Sequence, residues 1–388
     1  MQILSVHNSY KIRGGEDASC EAEVRLLKKM GHQVSRYEES NHQIDKLNPL
    51  DVAARTVWST KAYQVLMHQL TEQAHDIVHV QNFFPLISPS IYYAAQKKKV
   101  PVVQTLRNYR LLCPNALFFR DGQVCEDCMG KSIPWPGVIN SCYKESFSAS
   151  GVVATMLTVH RAMRTWTEMV DVYVALTHFA CKKFIEGGIP QDKIVVKPNF
   201  VDPDPGQEVE KEDFAIFVGR LSVEKGIDTL IQAWQQLGKR ISLKIVGEGP
   251  LEDQVIQASQ HSSSSIEWLG RKPLNEVYDL IGKAKVLIFP SKWYETFGRV
   301  AVEAFAKGTP VIASKLGAIA EIVDHGRTGF HFHPGDSADL ARQVDWALNH
   351  PEQLTAMGHE ARAEFEAKYT AQANYHKLIE IYDLARSQ

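Results

Sequence analysis

Short apolar runs that end at a glycine or a polar turn, and are followed by helical spacing, recur along the whole chain. The runs are Gln2–His7, Asp76–Val80, Val100–Leu106, Val172–Leu176, Phe214–Val218, Ile241–Val246, Ile266–Leu269, Lys285–Phe289 and Pro310–Ala313. Repeated strand, turn and helix units predict parallel sheets covered by helices. In such α/β folds, ligands bind beyond the carboxyl ends of the strands. We therefore predict an α/β fold with its site in the loops that follow the strands.

Chain length and one proline-rich stretch indicate two domains. At 388 residues the chain is long for one hydrophobic core and suits two domains of about 150–200 residues each. Three prolines fall within Lys197–Gly206, which predicts a stiff linker, and Ser262–Ser265 is predicted to be a short polar loop. We place a first domain at 1–200, a second at 201–370, and a closing helix at 371–388 that packs back on the first domain.

The charge balance limits the partners. A formal net charge of −2 argues against a dedicated nucleic-acid-binding protein, which would carry a strongly basic surface. Residues 1–200 hold 23 Lys and Arg against 18 Asp and Glu, a balance of +5, whereas the remaining residues hold 20 against 27, a balance of −7. A basic first half with Lys97-Lys98-Lys99 could contact an anionic membrane, and a chance imbalance between domains explains the same numbers equally well.

The start of the chain and its uncharged stretches indicate where in the cell the protein is located. Met1–His7 predicts a strand that opens the fold rather than a signal peptide. The stretches 77–96 and 146–160 contain no Asp, Glu, Lys or Arg, but prolines interrupt the first and the second is too short to span a bilayer. We expect a cytoplasmic protein, either free or peripheral at the inner membrane face.

Four of the six cysteines lie close together in the sequence, at Cys113, Cys125, Cys128 and Cys142. A CxxC pair flanked by two further cysteines is compatible with a structural zinc site. Reduced thiols in a folded loop fit the same spacing, since disulfides are rare in cytosolic proteins. The sequence leaves structural zinc and free thiols as alternatives.

The segment Ser291–Phe305 contains two glutamates eight residues apart, Glu295 and Glu303. It turns through Phe297-Gly298 into a run with helical spacing. A helix that starts near Gly298 would present unpaired N–H groups and a positive dipole end to a phosphate. Glu303 would lie on its second turn and Glu295 in the preceding loop, each positioned for sugar hydroxyls. This arrangement predicts a nucleotide-sugar site.

A second segment, Gly219–Gly226, places two cations directly after a buried strand. The guanidinium of Arg220 can fork onto phosphate oxygens and Lys225 adds a point charge, so the pair suits a diphosphate. Gly14-Gly15, in the first loop of the other half, would let backbone amides approach an anion. Each segment alone also fits an ordinary exposed loop.

Together these segments resemble the retaining glycosyltransferases of family 4, and the resemblance covers nearly the whole chain. It rests on Gly14-Gly15, Asn108-Tyr109, Pro198-Asn199, Gly219-Arg220, Glu224-Lys225-Gly226, Val246–Pro250, the Glu295/Glu303 pair, Gly308–Val311 and Glu321–Val323. The resemblance implies the GT-B architecture, with two Rossmann-like domains whose parallel sheets face each other across a cleft. The first domain would bind the acceptor and the second the nucleotide sugar.

The resemblance also implies residue roles. Arg220 and Lys225 would hold the donor diphosphate and neutralise it as it leaves, and Glu295 would bind the donor sugar beside them as a third catalytic residue. Glu303 would bind the ribose hydroxyls. The other donor-side residues implied are Gly14, Gly15, Gly219, Arg271, Leu274, Phe297, Gly298 and Val302.

The implied reaction transfers a hexosyl group from a UDP-sugar, with UDP-glucose as the first candidate, to a glycan or lipid-linked glycan with retention of configuration. The segment Leu111–Gly122 resembles exopolysaccharide-assembly members, and among these a cyanobacterial enzyme of heterocyst envelope polysaccharide synthesis. No cofactor or catalytic metal is expected, because the acidic pair at Asp202-Pro203-Asp204 lies in the proline-rich linker.

One position departs from the family pattern. Similar sequences usually have histidine where this chain has Arg107, and arginine cannot act as a general base. We expect Arg107, Asn108 and Tyr109 on the acceptor side. Two other functions stay open: a nucleotide-sugar epimerase of the same fold, and a non-catalytic nucleotide-sugar-binding partner.

Overall fold

The computed structural model describes residues 1–12, 14–260 and 265–388, which divide into two units. The first unit comprises Met1–Phe118, Cys125–Pro198 and Asn374–Gln388, and the second comprises Phe119–Val124 and Asn199–Ala373. The polar loop predicted at Ser262–Ser265 lies, apart from Ser265, outside the described residues.

The strands follow one another in chain order through both units. They are β1 (Gln2–Ser9), β2 (Gln33–Ser40), β3 (Ile77–Asn82), β4 (Val102–Thr105), β5 (Phe119–Arg120), β6 (Gln123–Val124), β7 (Val172–Ala175), β8 (Ile194–Val196), β9 (Glu212–Val218), β10 (Ser242–Val246), β11 (Ile266–Trp268), β12 (Ala284–Phe289), β13 (Val311–Ser314) and β14 (Gly329–Phe332).

The helices connect these strands. They are α1 (Gly15–Lys29), α2 (Pro49–Val57), α3 (Thr60–Glu72), α4 (Ser90–Lys97), α5 (Trp135–Ile139), α6 (Phe147–Ala162), α7 (Thr165–Glu168), α8 (His178–Glu186), α9 (Ile227–Leu237), α10 (Glu252–Gln260), α11 (Leu274–Lys283), α12 (Arg299–Ala306), α13 (Gly317–Ile322), α14 (Ser337–Asn349), α15 (Pro351–Lys368) and α16 (Ala371–Ser387). In the described part of the chain, no helix combines the length and the apolar character needed to cross a membrane.

Each unit contains one six-stranded sheet, and the strand pairs within both sheets are parallel. The strand order is β2-β1-β3-β4-β7-β8 in the first unit and β11-β10-β9-β12-β13-β14 in the second. In the second sheet the chain runs outward from β9 through β10 to β11, and then returns to build β12, β13 and β14 on the other side. The β9/β12 boundary is therefore a topological switch point, where α/β sheets bind ligands.

Burial explains why the apolar runs became strands. Ile3 on β1, Ile77 on β3 and Val172 on β7 are fully buried, and they pack together in the core of the first unit. Leu378, Ile381 and Tyr382 of α16 belong to the same cluster, so the last helix of the chain completes this core. In the second unit α9 packs Leu230 and Trp234 under its sheet.

Candidate functional site

The loops that follow β9 and β12 lie beside each other at the switch point of the second sheet. Lys292 N donates to Glu224 O over 2.8 Å, which joins the two loops. Gly226 has a φ of +72°, and a Cβ added there would lie 1.9 Å from Pro290 O. Only glycine accommodates both this left-handed backbone and such a close approach.

A lysine and a glutamate from these two loops form the centre of the candidate site. Lys225 Nζ donates to Glu295 Oε1 over 2.5 Å. The same carboxylate oxygen accepts from Ser291 Oγ at 2.8 Å and from Trp293 Nε1 at 2.9 Å. Lys225 Nζ also lies 5.4 Å from the centroid of the Trp293 ring. The sequence analysis assigned the donor diphosphate to Lys225 and the donor sugar to Glu295. In the structure these two side chains are bonded to each other, and Ser291 and Trp293 hold the carboxylate in place.

The second glutamate lies on the helix that the sequence predicted. Gly298 is the N-cap of α12 and has a φ of +128°, and a Cβ there would lie 3.0 Å from Ile319 Cδ1. Glu303 lies on the second turn and is only 4% exposed. Its Oε1 accepts from Arg299 Nε at 2.8 Å. Burial raises the pKa of Glu303, and Arg299 opposes that shift.

The other donor-side residues of the second unit occupy the same carboxyl edge of the sheet. Gly219 and the exposed Arg220 follow β9 directly. Arg271 and Leu274 are exposed after β11, and Leu274 begins α11. Phe297 and Val302 are buried, as Glu295 and Glu303 are.

Gly14 and Gly15 lie in the first unit, at the start of α1. Gly14 is the N-cap, Gly15 is the first helical residue, and both are exposed. A Cβ added at either position would meet no atom within 4 Å. Their small size is therefore not required by packing within the chain.

The acceptor-side residues predicted in the first unit have different environments. Arg107 and Asn108 line a small open depression beyond the carboxyl ends of β3 and β4. Tyr109 is fully buried, with its ring stacked 5.5 Å from Phe184. Tyr109 therefore holds the loop in place and does not face the depression.

A buried polar network adjoins this depression. Lys197 Nζ donates to Glu23 Oε2 over 2.8 Å, and to Asn374 Oδ1 of α16 over 3.1 Å. Gln81 Nε2 donates to the other oxygen of Glu23 over 2.5 Å, and Gln81 Oε1 accepts from Arg107. Glu23, Lys197 and Gln81 are each no more than 2% exposed. Arg107 is therefore the outer end of a fixed network that reaches the core of the first unit.

The network changes the protonation of its members. Burial by itself raises the pKa of Glu23, but the charges of Lys197 and Arg107 outweigh it and hold that pKa well below its usual range. Burial lowers the pKa of His79 to about 4, although Glu23 opposes the shift. His79 Nδ1 lies 2.7 Å from Tyr382 OH, and Nε2 lies 2.8 Å from Thr105 Oγ1. The histidine is thus a neutral structural residue at physiological pH.

We expect the free energy of unfolding to fall as the pH drops from about 6.5 to about 4. Over this window the unfolded chain protonates its imidazole at the ordinary pKa of about 6.5, whereas folded His79, with a pKa of about 4, stays neutral. The unfolded state therefore gains protons that the folded state does not, and the loss is on the order of 3 kcal/mol.

Urea unfolding of the whole protein at several pH values measures this effect. His79→Gln should show a shallower pH slope than the wild type. His376→Gln, which changes an exposed histidine on α16, should keep the wild-type slope. Equal slopes in all three proteins would contradict the assignment.

The cysteines were left with two alternatives, structural zinc and free thiols. Over the described ranges, no group of three or more His, Cys, Asp or Glu side chains is placed to hold a metal ion. Cys113 Sγ instead donates to Asn115 Oδ1 over 2.9 Å. Burial, together with the neighbouring thiols of Cys113, Cys142 and Cys125, raises the pKa of Cys128 to about 12. The described side chains agree with the free-thiol alternative.

Comparison with known proteins finds similarity in the second unit. Residues 201–364 match the family model described as Glycosyl transferases group 1. Over 159 residues the chain is 33% identical to an uncharacterized glycosyltransferase of Methanocaldococcus jannaschii, covering 41% of this chain and 44% of that protein. Over 176 residues it is 33% identical to glycogen synthase of Mycobacterium tuberculosis, covering 44% and 42%. The chain thus spans less than half the length of these two curated relatives.

A solved structure matches both units. The Anabaena protein HepE, crystallised in complex with UDP-glucose, has a TM-score of 0.69 to this chain at 18% identity, over 98% of each chain. Together with the two parallel six-stranded sheets, this similarity confirms the predicted GT-B fold. The residues that match the family model contain β9 to β14, and with them both loops of the switch point.

Sequence reasoning missed the residues that support the site. Arg299 precedes Glu303 by four positions, which is the spacing of helix neighbours and could have identified the pair. Ser291 and Trp293 belong to the segment that contains both glutamates, but the sequence analysis assigned no role to them. No local pattern links Glu23 to Lys197, because 174 residues separate them.

Proposed function

We propose that this chain is a retaining glycosyltransferase that moves a hexosyl group from a UDP-sugar to a hydroxyl of a glycan or lipid-linked glycan in polysaccharide synthesis. The Lys225–Glu295 pair carries the proposal, because it places a cation and a sugar-binding carboxylate at the switch point of the residues that match the group 1 glycosyltransferase model. UDP-glucose is the first candidate donor because HepE, which shares this fold, was crystallised with it.

In the proposed reaction the bond between the sugar C1 and the diphosphate breaks while the bond between C1 and the acceptor oxygen forms on the same face. The acceptor proton passes to the departing diphosphate, so no side chain has to act as nucleophile. Arg220 and Lys225 stabilise the charge that develops on the diphosphate, and Glu295 positions the sugar. Catalysis then arises from the positioning of the substrates and from electrostatic stabilisation of the diphosphate. No general base is needed at the position that Arg107 occupies.

The remaining donor contacts follow the same logic. Backbone N–H groups at Gly298 and the start of α12 would bind the diphosphate, because a helix N-terminus carries partial positive charge. Glu303 would bind the ribose hydroxyls from the second turn, with Arg299 orienting its carboxylate. Arg271 and Leu274 would frame the base.

We assign acceptor binding to the first unit, where Arg107 and Asn108 line the depression. A peripheral contact of this unit with an anionic membrane is part of the proposal, and its support is the charge of +5 on residues 1–200. Sedimentation with anionic vesicles at low salt tests it, and failure to sediment would remove it.

Glu303→Gln is expected to weaken UDP-sugar binding by about 10- to 100-fold. A carboxylate that accepts hydrogen bonds from two ribose hydroxyls loses charge-assisted bonds when it becomes an amide. Calorimetric titration of a panel of nucleotide sugars, with EDTA present, measures the dissociation constants.

Glu352→Gln, which changes an exposed glutamate on α15, is the matched control and should bind as the wild type does. A wild-type protein that binds none of the nucleotide sugars would contradict the proposed donor class. Product analysis without an acceptor separates the alternatives, because an epimerase converts its nucleotide sugar under these conditions. Binding without turnover across a broad acceptor panel would instead indicate a non-catalytic partner.

A further inference from the structure

The depression in the first unit carries positive charge on its lining. It opens beyond the carboxyl ends of β3 and β4, and it is lined by residues 81–84, 104–108, Arg110 and Leu111. The lining thus contains two guanidinium groups, those of Arg107 and Arg110, and no carboxylate. A concave surface with this composition favours an anionic ligand group.

Arg110 is held in one orientation by aromatic rings. Its Cζ lies 4.2 Å from the centroid of the Phe84 ring and 4.9 Å from that of Tyr143. The two rings are nearly perpendicular, with an interplanar angle of 81°. Arg110 Nη1 also donates to Pro114 O, which uses one of the five N–H donors of a guanidinium. A planar fork fixed in this way loses little rotamer freedom when it binds a carboxylate or phosphate.

Arg107 contributes a second fixed charge. Its Nε and Nη2 donate to Gln81 Oε1 over 2.8 and 2.6 Å, and the residue is 7% exposed. Gln81 is in turn bonded to Glu23, so the position of Arg107 is set from the core. A cation this far from water interacts strongly with a ligand charge, since the local dielectric constant is low.

Two buried carboxylates are bonded to residues of the lining, Glu23 to Gln81 and Glu16 to Asn108. Asn108 Nδ2 donates to Glu16 Oε2 over 3.2 Å, and Tyr10 OH donates to the same oxygen over 3.3 Å. Burial raises the pKa of Glu16, and Arg107 opposes that shift.

We propose that this depression binds an anionic group of the acceptor, a phosphate or a carboxylate, through the forked guanidinium of Arg110 with Arg107 as the second cation. The inference rests on the proposed function, because it assigns a chemical class to the acceptor of the transferase. It makes Arg110, which ends the stretch Arg107–Arg110 where the sequence placed the acceptor site, a substrate-binding residue.

Calorimetry on the full-length protein tests the proposal. With the donor site saturated by UDP, inorganic phosphate and glucuronate are titrated separately, and glucose serves as the neutral probe. We expect one or both anions to bind and glucose not to bind. Phosphate binding alone would indicate a phosphorylated acceptor, and glucuronate binding alone an acidic sugar, and either supports the subsite.

Substitutions test whether the anion binds at Arg110. Arg110→Gln should weaken the anion by at least about tenfold and leave the UDP dissociation constant within about twofold. Arg110→Lys, which keeps the charge and the stacked position but removes the fork, should give an intermediate loss, and its melting curve reports whether the loop still folds. Lys131→Gln is the matched control, because Lys131 Nζ also lies over an aromatic ring, 5.5 Å from Trp135, but outside the depression.

Two results would overturn the subsite: anions that bind no better than glucose, or equal losses in Arg110→Gln and Lys131→Gln. Failure of UDP itself to bind would instead contradict the proposed function. In that case the anion titrations run without UDP still decide the subsite, because the comparison of Arg110→Gln with Lys131→Gln does not depend on the nucleotide.

Discussion

Lys225→Met is expected to lower kcat for sugar transfer by about 10²- to 10³-fold. In the proposed reaction the ammonium group stabilises charge that develops on the departing diphosphate, and removal of one such preorganised group typically has this effect. Lys225 is also placed for this role by its 2.5 Å bond to Glu295, which the variant would lose. Release of UDP from the UDP-sugar, followed under saturating donor, measures kcat.

Lys292→Met provides the matched control. Lys292 lies in the loop after β12 and pairs with Asp228 over 2.7 Å, so its charge is already engaged away from Glu295. We expect a change in kcat of less than about threefold, since the ion pair is partly exposed and contributes little. A similar fall in both variants would show that the loop, rather than the ammonium group of Lys225, determines the rate.

Lys197→Met is expected to lower the free energy of unfolding by about 3–5 kcal/mol. The variant would leave the carboxylate of Glu23 buried without its cation, and an uncompensated buried charge is among the most destabilising changes in a core. Both side chains are almost fully buried, at 1% and 3% exposure. Urea denaturation followed by circular dichroism measures the loss.

Two further variants separate the effect of an unpaired buried charge from the effect of removing any lysine side chain. Lys182→Met, which removes an exposed partner of Glu186 at 4.0 Å, should cost less than about 1 kcal/mol. The double variant Glu23→Gln/Lys197→Met should be more stable than Lys197→Met alone, because no buried charge remains unpaired. A double variant as unstable as the single one would contradict the assignment of the loss to the charge of Glu23.

The apolar runs of the sequence located most strands because each run is buried on both faces of a parallel sheet. Asp76–Val80 became β3 (Ile77–Asn82) and Phe214–Val218 became the buried part of β9 (Glu212–Val218). The strands β5, β6, β8 and β14 were not predicted. β5 and β6 have two residues each, Ile194–Val196 is an apolar run of only three residues, and Gly329–Phe332 alternates glycine and histidine with phenylalanine, so none gives a long apolar signal.

In the candidate site, too, local patterns predicted the residues but not the contacts between them. Glu303 on α12, Gly298 at its start and Lys225 after β9 were predicted because each belongs to a local pattern of strand, turn and helix. The contacts between site residues were not predicted, because the hydrogen bond from Lys225 to Glu295 joins two loops that are 70 residues apart in the chain.

The sequence by itself therefore determined the α/β class and the parallel sheets, and it predicted candidate donor-side residues at the ends of strands, because periodic burial and turn chemistry act over a few neighbouring residues. Only the tertiary structure decided that Lys225 bonds to Glu295, that Lys197 neutralises Glu23, and that Arg110 is stacked at the edge of a cationic depression. These contacts depend on packing between segments distant in the chain, and the free energy of a buried charge is set by everything that surrounds it.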